Sequence, residues 1–302
     1  MPPSEPPTSH PPSSSPWILA ARPATLPAAI GPVVIGASSA WGDGVFAMLP
    51  FVVVLFSALM IQVGVNYAND LADAEKGADT DARIGPQRMV ASGLISRSSM
   101  VKGILVTFGL ASLGGIYLIW YAGWPILVIG VVSIVAALGY TNGPVPYGYY
   151  GLGELFVFIF FGLVMTSGTR YVFSSDVPSE VWVGGIVMGL LAAGILQANN
   201  IRDIDTDRAA GKRTLAVILG RERARKLFAG TFVAAFALIA FSSLAGLLPF
   251  MCIIALVVAP MSIPLIQTVF NETAGPPLIG VLKGTAQLQM FTGLLLALGI
   301  AF

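Results

Sequence analysis

Two clusters of carboxylate, carboxamide and basic side chains interrupt an otherwise apolar chain. The first reads N-Y-A-N-D-L-A-D-A-E-K-G-A-D-T-D-A-R, Asn66 to Arg83, and the second N-N-I-R-D-I-D-T-D-R-A-A-G-K-R-T, Asn199 to Thr214. On a helix, Asn66, Asn69, Asp70 and Asp73 fall at three- and four-residue offsets and share one face. Asn199, Asp203 and Asp207 repeat the pattern as successive fours, with Asn200 and Asp205 beside them. Clustered carboxylates that stay ionised repel one another unless cations intervene. Oxygen-only donors, one or two carboxylates per ion with no Cys or His, suit Mg²⁺ bridged to a substrate phosphate. The basic residues supply the other half of such a site. Arg83, Arg202, Lys212 and Arg213 can neutralise phosphate oxygens that a metal does not reach, the arginines bidentately. Metal and cations together bind a diphosphate and stabilise it as it leaves, so heterolysis of an allylic C–O bond is the chemistry they suit.

The elements that must hold these residues are membrane helices. Of 302 residues, 56% are hydrophobic and only 10% charged, and the mean hydropathy of +0.83 is far from that of a soluble domain. A net charge of +1 gives no argument for nucleic acid. Residues 1–16, MPPSEPPTSHPPSSSP, have no apolar face and read as a disordered tail lacking the charged start and apolar centre of a signal peptide. The rest, 17–302, reads as one all-α membrane domain. Apolar runs near the ~20 residues needed to cross ~30 Å of hydrocarbon fall at 24–41, 46–68, 101–121, 124–140, 152–173, 182–201, 227–246, 248–269 and 284–301. Nine spans are therefore expected.

The two polar clusters follow the second and sixth spans. Four helices separate them, so both face the same side, and the simplest architecture is two parallel four-helix repeats plus a ninth helix, around one central cavity. The links after spans two and six carry most of the Lys and Arg. They make that side cytoplasmic by the positive-inside rule, with the N-terminus inside and the C-terminus outside. A lipid diphosphate whose tail lies among the helices is then the expected ligand.

Other polar residues have plainer readings. Arg221 to Lys226 reads as a positive-inside anchor, Cys252 as helix filling that excludes a disulfide within the chain, and His10 as a solvated tail residue. Tyr140, Tyr147, Tyr149 and Tyr150 read as an interfacial belt, although a ring there could support a carbocation by a cation–π contact.

On these motifs the sequence resembles the UbiA superfamily of intramembrane aromatic prenyltransferases. The resemblance rests on the second cluster, N-N-I-R-D-I-D-T-D-R-A-A-G-K-R-T-L-A-V, and covers nearly everything after the tail. In the first cluster Gly77 stands where the family's last Asp is expected and Asp79 follows. R-P-A-T-L-P (Arg22 to Pro27), N-D-L-A-D-A-E-K-G-A-D and Y-T-N-G-P-V-P-Y-G-Y-Y-G-L-G-E (Tyr140 to Glu154) narrow the resemblance to the branch that prenylates 1,4-dihydroxy-2-naphthoate.

That resemblance implies a polyprenyl diphosphate donor, a naphthoate acceptor, loss of CO₂ and a demethylmenaquinone product made in a bacterial plasma membrane. It implies two Mg²⁺ ions held by Asp70, Asp73, Asp203 and Asp207, with Asp79 as a further candidate ligand. Arg83, Lys212 and Arg213 are implied diphosphate contacts. For the acceptor, Arg22 could pair with the carboxylate, and Asn142, Tyr147 or Glu154 could position hydroxyls. Asp73→Ala and Asp203→Ala are expected to abolish turnover and leave the fold standing, since neither residue reads as core. Two rivals stand beside this reading. One is a sister enzyme with another acceptor (4-hydroxybenzoate, homogentisate, chlorophyllide or haem), and the other is a carrier of phosphorylated lipids.

Overall fold

The structure is a computed structural model describing residues 15–75, 88–141, 146–273 and 275–302. The expected tail falls almost wholly outside the described residues, as do Asp79, Arg83 and Asn142. Every regular element among the described residues is helical. We label them α1 (Pro16–Ala21), α2 (Pro27–Gly42), α3 (Met48–Glu75), α4 (Arg97–Ala122), α5 (Pro125–Gly139), α6 (Gly153–Phe173), α7 (Ser179–Arg202), α8 (Ile204–Ala209), α9 (Leu215–Leu219), α10 (Arg221–Leu244), α11 (Phe250–Asn271) and α12 (Pro276–Ala301). Short 3₁₀ turns at Pro23–Thr25 and Tyr147–Tyr150 precede α2 and α6.

Local sequence explains where helices start. Pro16, Pro27, Pro125 and Pro276 open α1, α2, α5 and α12, where their missing N–H costs nothing and their fixed φ fits. Ser96 caps α4 by accepting the Ser99 N–H at 3.2 Å. Gly123, at φ 93°, ends α4 and lets Pro125 start α5 almost at once, which makes a tight helical hairpin.

Among the described residues, seven helices are long and apolar enough to cross a membrane: α3, α4, α6, α7, α10, α11 and α12. An eighth emerges if the segment Pro16–Thr25 and α2, bent by 53° at their junction, count as one span. The expected 124–140 span is α5, whose 15 residues rise only about 22 Å, short of the hydrocarbon thickness. The chain is thus a multi-pass membrane protein, and a skin of large apolar side chains, Trp120, Trp124, Leu105, Phe241 and Leu244 among them, faces outward. Several boundaries differ from expectation, with α3 running on to Glu75 and α10 starting at Arg221. Helix α12 begins at Pro276, not near 284, because Lys283 is carried within it. The helix through Asn199 also breaks at Asp203, which separates α7 from α8, although the Asp207 N–H still reaches the Asp203 carbonyl at 2.8 Å.

Small residues bring the helices together. A Cβ on Gly162 would lie 2.5 Å from the Gly185 carbonyl oxygen, and one on Gly293 2.6 Å from the Gly31 Cα, so α6 meets α7 and α2 meets α12 backbone to backbone. The main apolar core lies among α7, α10, α11 and α12, around Met188, Leu191, Phe228, Phe232 and Leu288. At the end of α6 remote from the polar clusters, buried Arg170 donates to Asp43 at 2.5 Å and holds the end of α2.

Candidate active site

Helix α3 runs unbroken to Glu75, so its polar residues extend the membrane helix as a stripe. A cavity of about 510 Å³ opens beside that stripe, lined at one end by Asn69 and Asp73 of α3, Asn199 and Asp203 at the end of α7, Asp207 of α8, and Lys212. The two polar clusters, 130 residues apart in sequence from Asp73 to Asp203, therefore face one chamber.

Lys212 joins them. Its Nζ donates to Asp73 Oδ1 at 3.0 Å, stands 4.0 Å from Asp207 Oδ1, and lies 4.9 Å above the Tyr149 ring. The Tyr149 hydroxyl donates to the same Asp73 oxygen at 3.2 Å, and Arg88 Nη2 donates to the other. Asp73 is only 3% exposed, so this carboxylate is buried among cations and hydrogen-bond donors. Asp203, 6% exposed, takes a two-pronged contact from Arg202, Nε at 2.7 Å and Nη2 at 2.5 Å, and the same Nη2 also donates to Asn199 at 2.8 Å.

Several expected site residues have other partners. Both oxygens of Asp70 accept backbone N–H groups, from Met89 at 3.1 Å and Val90 at 2.9 Å, and the residue does not line the cavity. It anchors the segment that carries Arg88. Asn66 donates to the Ala21 carbonyl at 2.8 Å, and Asn69 accepts from Thr141 at 2.9 Å, so both tie neighbouring segments to α3. Arg213 is exposed and away from the cavity, and its backbone N–H binds the Tyr149 carbonyl at 3.0 Å. Glu154 lies buried behind the wall and reaches the cavity through Asn200, whose amide donates to it at 2.9 Å. Tyr147 lines the cavity, stacked on Phe156 at 3.9 Å with its hydroxyl on the Ala136 carbonyl at 2.6 Å, and burial pushes that hydroxyl's pKa up. Arg22 also lines it, and is the only non-glycine residue with positive φ (54°) among the described residues.

Sequence reasoning missed Arg88, Tyr149 and Thr141. Arg88 was readable only as loop charge, and Tyr149 as belt or as one of four rings that could face a carbocation, with no role on Asp73, because nothing local shows that Asp70 folds the first back or that Arg213 draws in the second. The available signal for Arg88 was its place five positions after the first polar cluster; Thr141 and Tyr149 stand far from both clusters in sequence and offered none of that kind.

Away from the acidic end the chamber becomes an apolar channel between α3, α4, α5 and α6, lined by Ala58, Ile61, Ala111, Gly115, Ile126 and Gly130. One volume thus joins a charged end to an apolar one. The donors at the acidic end fit Mg²⁺. Asp73, Asp203 and Asp207 offer hard oxygens from two directions, and no group of three or more Asp, Glu, His or Cys forms a metal cage among the described residues. One or two carboxylates completed by phosphate is the usual Mg²⁺ arrangement.

Comparison with known proteins agrees with this architecture. Residues 29–274 match the UbiA prenyltransferase family. The chain is 38% identical over 296 residues to a 1,4-dihydroxy-2-naphthoate octaprenyltransferase of Mycobacterium tuberculosis, covering 95% of this chain and 97% of that one. It is 34% identical over 290 residues to the Escherichia coli protein of the same name, covering 94% of each. Among solved structures, a UbiA homolog from Archaeoglobus fulgidus bound to DMAPP and Mg²⁺ superposes with a TM-score of 0.65 at 16% identity, covering 95% of this chain and 98% of that one. The apo structure of a UbiA homolog from Aeropyrum pernix K1 gives 0.68 at 17% identity, covering 90% and 96%.

Proposed function

The chain belongs to the UbiA prenyltransferase family, and from that premise we propose that it transfers a polyprenyl group from polyprenyl diphosphate to 1,4-dihydroxy-2-naphthoate, releasing diphosphate and CO₂. The observation that carries the reading is the Lys212 bridge. One cation spans carboxylates from two helix ends at the mouth of an apolar channel, where a diphosphate with a hydrocarbon tail would sit. Relatives bearing the naphthoate octaprenyltransferase name over nearly the whole chain support the acceptor.

In this reading Asp73, Asp203 and Asp207 hold Mg²⁺ as two ions. The metal supplies charge neutralisation for the diphosphate as it departs. Lys212 and Arg88, both on Asp73, bind the remaining phosphate oxygens. The Tyr149 ring, already under the Lys212 ammonium, lies beside the reacting carbon. The apolar walls exclude water from the allylic centre. The electron-rich ring carbon bearing the carboxylate attacks C1 of the prenyl chain while the C1–O electron pair leaves with diphosphate. Loss of CO₂ then returns its bonding pair to the ring. The product forms as the quinol, demethylmenaquinol, whose oxidation gives demethylmenaquinone.

The topology follows the same proposal. The bent segment with α2 and the short α5 cross together with the seven long helices, giving nine spans as two parallel four-helix repeats plus one. The Arg- and Lys-rich ends of α3 and α7 lie at the cytoplasmic face of a bacterial plasma membrane. The test is an assay of purified protein with Mg²⁺, a long-chain polyprenyl diphosphate and each candidate acceptor, scored by mass spectrometry. Prenylated product and CO₂ from the naphthoate alone support the reading. Product from 4-hydroxybenzoate or homogentisate alone would reassign the acceptor, and no pyrophosphate with any pair would favour a carrier.

A further inference from the structure

We propose that Gln62 is the residue that recognises a hydroxyl of the aromatic acceptor. This rests on the reading of the site given above.

The cavity face of α3 changes character along its length. Val54, Ala58 and Ile61 line the apolar channel, and Asn66, Asn69 and Asp73 line the acidic end, with Gln62 at the boundary. Eleven residues separate Gln62 from Asp73, about 16 Å along the helix axis. A diphosphate on the carboxylates, its allylic carbon and a fused bicyclic ring beyond it would fill that length. A group that meets the flank of that ring, where its hydroxyls project, belongs within this length.

The Gln62 amide is held in one orientation. Its Nε2 donates to the Thr25 carbonyl at 2.6 Å, and Thr25 is itself turned by its N–H and hydroxyl, which reach the Arg22 carbonyl at 2.9 and 3.0 Å. Reversing the amide would set carbonyl against carbonyl, so the side-chain oxygen faces away from the turn. Gln62 is 6% exposed, and that oxygen, shielded from solvent, accepts no hydrogen bond from the protein. A buried acceptor without a donor is uncommon enough to need a partner. An aromatic O–H is a donor, and in this chamber the acceptor ring is the molecule that carries one. The same turn presents Arg22 to the cavity, so a ring lying here meets a guanidinium and a carboxamide oxygen carried by one tethered element.

The test compares Gln62→Leu with the unmodified protein. It uses 1,4-dihydroxy-2-naphthoate as substrate and its two mono-hydroxy analogues, 1-hydroxy- and 4-hydroxy-2-naphthoate, as competitive inhibitors. The substitution is expected to raise the acceptor KM about five- to tenfold and to leave the donor KM within about twofold. It should also leave unchanged the inhibition constant of the one analogue that lacks the recognised hydroxyl. Equal weakening of the substrate and both analogues would mean that the amide serves only the turn, and would overturn the proposal. So would a rise in donor KM alone. If Gln62→Leu does not accumulate in membranes, Gln62→Met, close in length and without the carbonyl, carries the same comparison. Failure of the underlying reading is separately visible, because the unmodified protein would then not prenylate the dihydroxynaphthoate.

Discussion

Asp73 and Asp203 are each 6% exposed or less, and each is the partner of an arginine that is buried as well. This alters what their replacement does. The sequence suggests that alanine at either position would abolish turnover and spare the fold. In the structure, Asp73→Ala leaves Arg88 and Lys212 without their shared anion, a loss of about 3–5 kcal/mol for a broken buried pair. Asp73→Asn retains shape and part of the hydrogen bonding, and turnover is expected to fall at least about 10³-fold, with a smaller drop in melting temperature than for alanine. Product formation and a thermal melt in detergent check both halves. Asp70 behaves differently. Asp70→Asn weakens the two backbone contacts that hold the Arg88 segment, so it is expected to lower the melting temperature and cost less turnover than Asp73→Asn at equal protein. Tyr147 supplies a pH prediction. Its hydroxyl titrates above the ordinary value of 10.0 because of burial, so its neutral form is favoured in the folded chain. Its contribution to stability is therefore full below about pH 10 and is lost as pH rises through the folded value. Tyr147→Phe should flatten that alkaline loss in a melting-temperature profile and, below pH 9, lower the melting temperature by an amount that does not vary with pH, because the hydroxyl's bond to the Ala136 carbonyl is lost.

The helices were legible as apolar runs because hydrocarbon thickness dictates length, and the stripe on α3 was legible because a helix repeats every three to four residues. Where prediction failed, tertiary contact was the cause. The π-helical stretch Phe158–Val164 in α6 brings Gly162 against Gly185 and Gly189, and no local pattern announces it. The shortness of α5 is set by Pro125 at one end and the tyrosine-rich turn at the other. Asp70 and Asp73 look equivalent in sequence, yet one caps a returning segment and the other faces the chamber. Element packing also has its own test. Gly162→Ala places a methyl 2.5 Å from a carbonyl oxygen, and overpacking of this kind costs about 1–3 kcal/mol. The expected result is a lower melting temperature with parallel loss of turnover, because α6 and α7 form adjoining walls of the cavity. Gly109, with nothing within 4 Å of its Cβ position, is the control: Gly109→Ala should leave both unchanged.

On the scale of the whole molecule, the fold brings two helix ends to one side and meets them with a channel for an oily chain. The acidic end alone would be a cation site and the channel alone a lipid groove; joined, they suit a prenyl diphosphate. Their union is tested most directly by following pyrophosphate, CO₂ and prenylated product together, in the unmodified protein, after EDTA treatment, and in Asp203→Asn. The account predicts equal amounts of all three from the unmodified protein with Mg²⁺, and loss of all three in the other two conditions. Undiminished product after EDTA treatment, or from Asp203→Asn, would contradict it.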